Sequence, residues 1–383
     1  MFANLKSGVA ATTLSLLATG AMADSWPDLP TAIKNGVSGQ SGTTAVIGLG
    51  SGGDALFSMD LADPGAGWQA LASFPGPVPS GAASALVGGN LYVFSGSGKV
   101  NADDVAPIIF TDVHAYDLAT NSWAKLDTQT PAGLLGATGY ALDDDRIAIF
   151  GGYNKELFDQ YLNDVLTTDK EAEPEKWQKI VDDYMGMEPG DYRWNSKTLV
   201  YTISTNSWSD LGDNPYLPNT GAALVESGDD ILLINGEIKP GLRTPQIKQV
   251  SFSGDTASWQ QVAPIPTKAG DDLSEGLAAP YAGWSNGALI VAGGANFPGA
   301  RANAFAGQWF SHQGLTKTWN DDVYVRLNGA WKQVNDLHEG LAYGATFTTD
   351  DGLLVVGGEG GDRKARADSF LISWDGEKVN FTD

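Results

Sequence analysis

The chain has 383 residues, 42% of them hydrophobic, with 48 glycines, 12 tryptophans and no cysteine. That composition supplies a large core, and its glycine and aromatic content favours β-structure over disorder. A net charge of −23 argues against nucleic acid and anionic membrane surfaces as partners, and the lack of cysteine excludes disulfides, thiol catalysis and a cysteine–tyrosine redox cofactor.

Residues 1–23 have the pattern of a cleavable secretory signal. Lys6 supplies the positive start, residues 9–17 the apolar stretch, and Ala21-Met22-Ala23 the small-x-small cleavage site. The apolar stretch is too short to span a bilayer, so no membrane insertion is expected once the signal is removed. One lysine and no acid leave with it, so residues 24–383 carry −24. An anion bound by such a chain must be held by local arginine or lysine.

From there a repeat runs to the end. Its second copy shows the plan: a strand over 84–87, a turn at Gly88-Gly89-Asn90, an apolar strand over 91–94, then Ser95-Gly96. A third strand over 112–116 follows, then a turn over 119–122 and Trp123-Ala124-Lys125-Leu126. The small-residue doublets end at Gly50, Gly96, Gly152, Gly236, Gly294 and Gly358. The closing tryptophans are Trp68, Trp123, Trp208, Trp259 and Trp331, with residues 378–381 in that place in the last copy. Six four-stranded units of this period predict an all-β chain, a six-bladed kelch-type β-propeller filling residues 24–383. The apolar second strands are expected near the axis, where sheets face each other on both sides, the glycines where blades crowd, and the tryptophans between blades. Either Trp26-Pro27-Asp28-Leu29 or residues 378–381 can take the outer position that closes the ring.

Two loops are long. In blade three, Leu157, Phe158, Tyr161, Leu162, Val165 and Leu166 recur at helical spacing, as do Trp177, Ile180, Val181 and Tyr184 after a polar break at 170–175. This predicts a two-helix insertion, either a cover for an apolar patch or a lid over the channel mouth. Residues 295–321 of blade five form a second long loop with Arg301, Trp309, Phe310, His312 and Lys317.

Repeat symmetry brings every loop after a doublet to one face. That face collects Lys99, Asn154, Glu237, Lys239, Arg243, Asn296, Arg301, His312, Glu359, Arg363 and Arg366. The stretch 234–244 stands out there: a buried strand end runs into a loop with a carboxylate, two cations and a Pro-Gly turn. Glu237 is equally able to pair with Lys239 or Arg243 as a wet ion pair. Glu359 also follows its doublet directly, so position alone does not single out Glu237. There is no phosphate-binding loop or dinucleotide fingerprint. His114, His312 and His338 lack metal-ligand spacing, and no Ser-Asp-x-Gly-x-Thr-Trp box of the sialidase propellers is present.

The segment Asn235-Gly236-Glu237-x-Lys239-Pro240-Gly241-Leu242-Arg243-Thr244 strongly resembles the signature of the periplasmic N-acetylneuraminate epimerases, the sialic acid mutarotases of bacteria. Ala292-Gly293-Gly294-Ala295-x-Phe297-x-Gly299-x-Arg301, His312-x-Gly314-Leu315 and Leu49-Gly50-Ser51-x-Gly53 fit the same family. The resemblance covers essentially the whole mature chain. It implies a periplasmic homodimer that interconverts the α and β anomers of sialic acid without a cofactor or metal. It places the proton acceptor at Glu237 and its partner at Arg243. Arg301, Asn235, Lys239, His312, Glu359 and Arg366 are the further candidates for holding substrate, with His312 or a water as donor to the ring oxygen. Two positions depart from the pattern: Gln313 stands where a glutamate is usual, and Leu341 where an arginine is usual. The rival readings are a non-catalytic propeller that binds a sugar or protein partner, and a copper oxidase, which the absent cysteine opposes.

Overall fold

The computed structural model describes residues 25–268 and 270–383; the expected signal segment, residues 1–23, lies outside the described residues. Six antiparallel sheets cover residues 37–70, 83–129, 138–213, 223–262, 281–333 and 341–382. Each is one continuous stretch of chain with its four principal strands in sequence order, so the expected six blades are present. Among the described residues no helix is long and apolar enough to cross a membrane.

The strands of each blade run outward from the axis in sequence order. First strands line the central channel, through Ser38, Ser84, Thr138, Ala223 and Thr346 among others. The apolar second strands lie one place further out, where Ile231, Leu232, Leu233 and Ile234 are each at most 2% exposed. Six strands converge on the axis around an open channel lined mainly by glycine, alanine, serine and threonine. The apolar strands are needed where neighbouring sheets press on both faces.

A ring of backbone hydrogen bonds ties the blades together at the mouth of this channel. Asn35 donates to Tyr343, Tyr343 to Ala279, Ala279 to Gly221, Gly221 to Gly136, Gly136 to Gly81, and Gly81 back to Asn35, at 2.7–3.2 Å. The seam between first and last blades is closed by both terminal segments. Residues Val379–Thr382 form the outer strand of the last blade. The N-terminal segment lies in the seam itself: Leu29 and Ile33 donate backbone bonds to Ala367 and Arg366, and the Trp68 indole donates to Pro27 O at 3.0 Å. The other tryptophans pack as expected, with Trp208 5.6 Å from Phe94 of the preceding blade and Trp259 5.8 Å from Phe150.

The doublets turn the chain out of each second strand with two consecutive positive-φ residues, such as Asn235 (59°) and Gly236 (98°). The second must be glycine. At Gly358 φ is 117°, and a Cβ would lie 2.0 Å from the Tyr281 hydroxyl and 2.8 Å from Ala342 O. Gly358→Ala should therefore destabilise the protein by about 3 kcal/mol through strain and overpacking, read by urea unfolding.

The insertion holds two helices, α1 (Lys155–Thr167) and α2 (Pro174–Met185). Asn154 caps α1 by accepting from Leu157 N at 3.0 Å, and Pro174 opens α2. Tyr161 and Tyr184 stack at 3.9 Å, in a cluster with Tyr192 and Trp194. The insertion both covers this cluster and walls the mouth, where Tyr153 and Phe158 face the channel. In blade five the long loop adds a short helix, α3 (Ala300–Phe305), which the sequence does not signal.

Candidate functional site

After the Asn235–Gly236 turn the chain forms a short hairpin, Glu237–Lys239 against Leu242–Arg243, closed by Pro240 and Gly241. Its base is fixed to the first strand side of the blade, where Glu237 N donates to Thr220 O at 2.8 Å and Thr220 N to Glu237 O at 2.9 Å. Glu237 and Arg243 are register partners, so their side chains share a face. Arg243 Nη2 lies 3.0 Å from Glu237 Oε1. Gly241 N donates to the same oxygen at 3.1 Å, and the Tyr153 hydroxyl donates to Oε2 at 3.1 Å. Three donors thus converge on one carboxylate.

Arg243 is 4% exposed and its guanidinium lies 4.9 Å over the Phe297 ring. Its Nε and Nη1 are buried with no partner among the described residues. A buried guanidinium with free donors is costly unless something pairs with it. Glu237 and Tyr153 face a cavity of about 670 Å³ with Phe158, Ser80, Thr220 and Tyr343. His312 packs between Phe297 and Phe310, at 4.9 and 5.1 Å. A Cβ at Gly241 would lie 1.8 Å from His312 Nδ1, so the Pro-Gly turn and the histidine fit only as glycine allows.

Burial, and then Arg243, hold the His312 imidazole down to about 4, so it is neutral at pH 7. Burial first, then Glu237, push the Tyr153 phenol well above its usual range, so it stays a donor. The histidine gives a pH test. Unfolded, it takes up a proton as pH falls through its ordinary 6.5; folded, it refuses one until about 4. Its contribution is present above pH 6.5 and is lost as pH falls towards 4. Between those limits the wild type should lose about 1–2 kcal/mol more unfolding free energy than His312→Phe, allowing for partial exposure.

The family profile of N-acetylneuraminate epimerase matches residues 26–381. The chain belongs to the N-acetylneuraminate epimerase family. It is 51% identical to the N-acetylneuraminate epimerase of Brucella melitensis, over 98% of this chain and 97% of that one. It is 46% identical to that of Vibrio cholerae, over 94% and 93%. Among solved structures it is similar to YjhT, with a TM-score of 0.85 and 37% identity, over 93% of this chain and 99% of that one.

The epimerase-family residues singled out in the sequence do not all meet. Glu237, Arg243 and His312 come together. Asn235 spends its side chain on the scaffold, donating to Pro245 O at 3.2 Å and accepting from Leu277 N at 3.1 Å. Lys239 is fully buried; its ammonium donates to Met185 O at 2.6 Å and to Trp309 O, clasping the end of α2 to the long loop of blade five. Arg301 turns to Ser274 O at 2.6 Å and stacks over Phe305. Arg366 grips Glu339 with two bonds of 2.7 and 2.8 Å and Asp362 with a third of 3.0 Å. Glu359 is buried between Lys34 and Lys317. Leu341 is 5% exposed and belongs to the core.

Sequence reasoning missed Tyr153. The repeat carried a signal for it: Tyr153 follows the Gly151-Gly152 doublet as Glu237 follows Asn235-Gly236, and both backbones then turn towards the mouth.

Proposed function

We propose that the protein is an N-acetylneuraminate epimerase that interconverts the α and β anomers of free sialic acid, with Glu237 as the base and Arg243 as the anchor for the substrate carboxylate. The supporting observation is Glu237 at the cavity wall, a carboxylate that can accept a proton, paired from behind with the buried Arg243 guanidinium, which has two nitrogens without a partner among the described residues. The cavity of about 670 Å³ is of a size suited to one small molecule.

Mutarotation needs no net proton. Glu237 takes the proton from the anomeric hydroxyl as the bond between the anomeric carbon and the ring oxygen breaks, and the ring oxygen ends protonated. Both oxygens are bonded to the same carbon in the closed ring, so one carboxyl can take the proton from one and return it to the other. Tyr153 and Gly241 hold its two oxygens in place, and Arg243 keeps the substrate carboxylate fixed while the exposed keto group turns. His312, neutral at pH 7, is not needed as an acid. We also place the mature protein in the periplasm, starting near Asp24, as a homodimer.

The deciding experiment is NMR of freshly released α-sialic acid with and without protein. Faster equilibration supports the reading; stoichiometric binding without acceleration makes the protein a sugar-binding module instead. Intact mass of periplasmic protein reads the cleavage site, and light scattering the dimer.

A further inference from the structure

Blade four, which carries Glu237, breaks the repeat at two buried positions at once. Two residues before each member of the backbone ring stand Ile33, Pro79, Leu134, Asn219, Leu277 and Leu341. Five are apolar; Asn219 is the exception. Opposite the third residue before each doublet glycine stand Phe57, His114, Leu199, Lys248, Tyr324 and Phe370. A lysine occurs there only in blade four.

The two exceptions touch. Lys248 is 0% exposed, and its ammonium donates to Asn219 Oδ1 at 2.9 Å and to Leu217 O at 2.7 Å. It has no carboxylate partner among the described residues. The Asn219 amide nitrogen in turn donates to Asn235 O, in the left-handed turn directly before Glu237. The next residue, Thr220, exchanges two backbone bonds with Glu237. A buried lysine held only by neutral oxygens is expensive to desolvate, a cost that the Phe, Leu or Tyr at the same place in four of the other five blades does not incur.

We propose that Lys248 and Asn219 form a positioning pair for the epimerase reaction, locking the Asn235–Glu237 turn so that the Glu237 carboxylate is held in its working geometry. This rests on the reading of Glu237 as the base. Neither residue lines the cavity, so both act through the backbone that carries Glu237. Small displacements of a catalytic group are costly in rate even when binding is intact.

Two variants test the pair. Asn219→Asp keeps an acceptor for Lys248 but turns a second oxygen, not a donor, towards Asn235 O. The double variant Lys248→Met with Asn219→Leu puts apolar residues at both places. For each we would measure kcat and KM of anomer exchange, the thermal midpoint, and amide hydrogen exchange at Thr220 and Glu237 without substrate. The expected result is kcat lower by about 10- to 100-fold with KM within about twofold, an unchanged or higher midpoint, and faster exchange at those two amides only. Wild-type kcat, unchanged exchange, or a rise in KM alone would overturn the proposal. So would a double variant that unfolds, or a kcat that falls in step with the midpoint, since the pair would then serve global stability. The exchange measurement does not depend on activity. An inactive wild type would remove the assigned function, while local exchange would still report whether the pair holds the turn.

Discussion

Glu237→Gln should cut the protein-dependent rate of anomer exchange by about 10²–10⁴, the usual cost of losing a general base. Glutamine keeps the size of the side chain, and its carbonyl oxygen can still accept from Tyr153 or Arg243. Substrate should therefore still bind, and kcat should fall far more than KM rises. NMR exchange spectroscopy is suited to this because uncatalysed mutarotation supplies its own baseline. Full activity in the variant would remove Glu237 from the chemistry. Glu359 would then be the next carboxylate to test, although Lys34 and Lys317 already occupy it.

The second large effect is expected at Arg243. One guanidinium nitrogen holds Glu237 at 3.0 Å while Nε and Nη1 have no partner among the described residues. A lysine at this place offers one point charge, which can serve Glu237 or a substrate carboxylate but not both in planar, two-bond geometry. Arg243→Lys should lower kcat/KM by about 10- to 100-fold, the worth of one or two charge-assisted hydrogen bonds, with KM and kcat both affected. A substrate analogue with a carboxamide in place of the carboxylate should lose much less between wild type and variant. Equal losses for the two compounds would show that Arg243 serves only to hold Glu237.

The six-fold repeat, the doublet turns, the insertion and the Glu237–Arg243 stretch are legible in the amino-acid sequence, but not every pairing within them. These are written in local signals: the alternation of apolar residues, glycine at turns of positive φ, helical spacing between 155 and 185, and a motif ten residues long. The neighbours in the chain decide them, and repetition reinforces each. The sequence left open whether Glu237 would pair with Lys239 or Arg243, because both lie on the same short loop. The hairpin register chose Arg243, since cross-strand partners share a face, and drove Lys239 into the interior to clasp α2.

Beyond the inter-blade tryptophans, the contacts that join one blade to another appear only once the chain is folded. Tyr153 reaches Glu237 across 84 residues of sequence. Arg301 and Arg366 have the charge to hold a carboxylate, but the Arg301 guanidinium turns to Ser274 O, and Glu339 and Asp362 take Arg366. The two terminal segments competed for one outer position on paper, and ring closure used both, one as a strand and one in the seam. First strands took the axis, and the channel between them exists once the ring has closed and in no single repeat. The folding of blade four brings Asn219, Lys248 and the Asn235 turn together, so a lysine that looks misplaced in its strand acquires partners only in the folded blade.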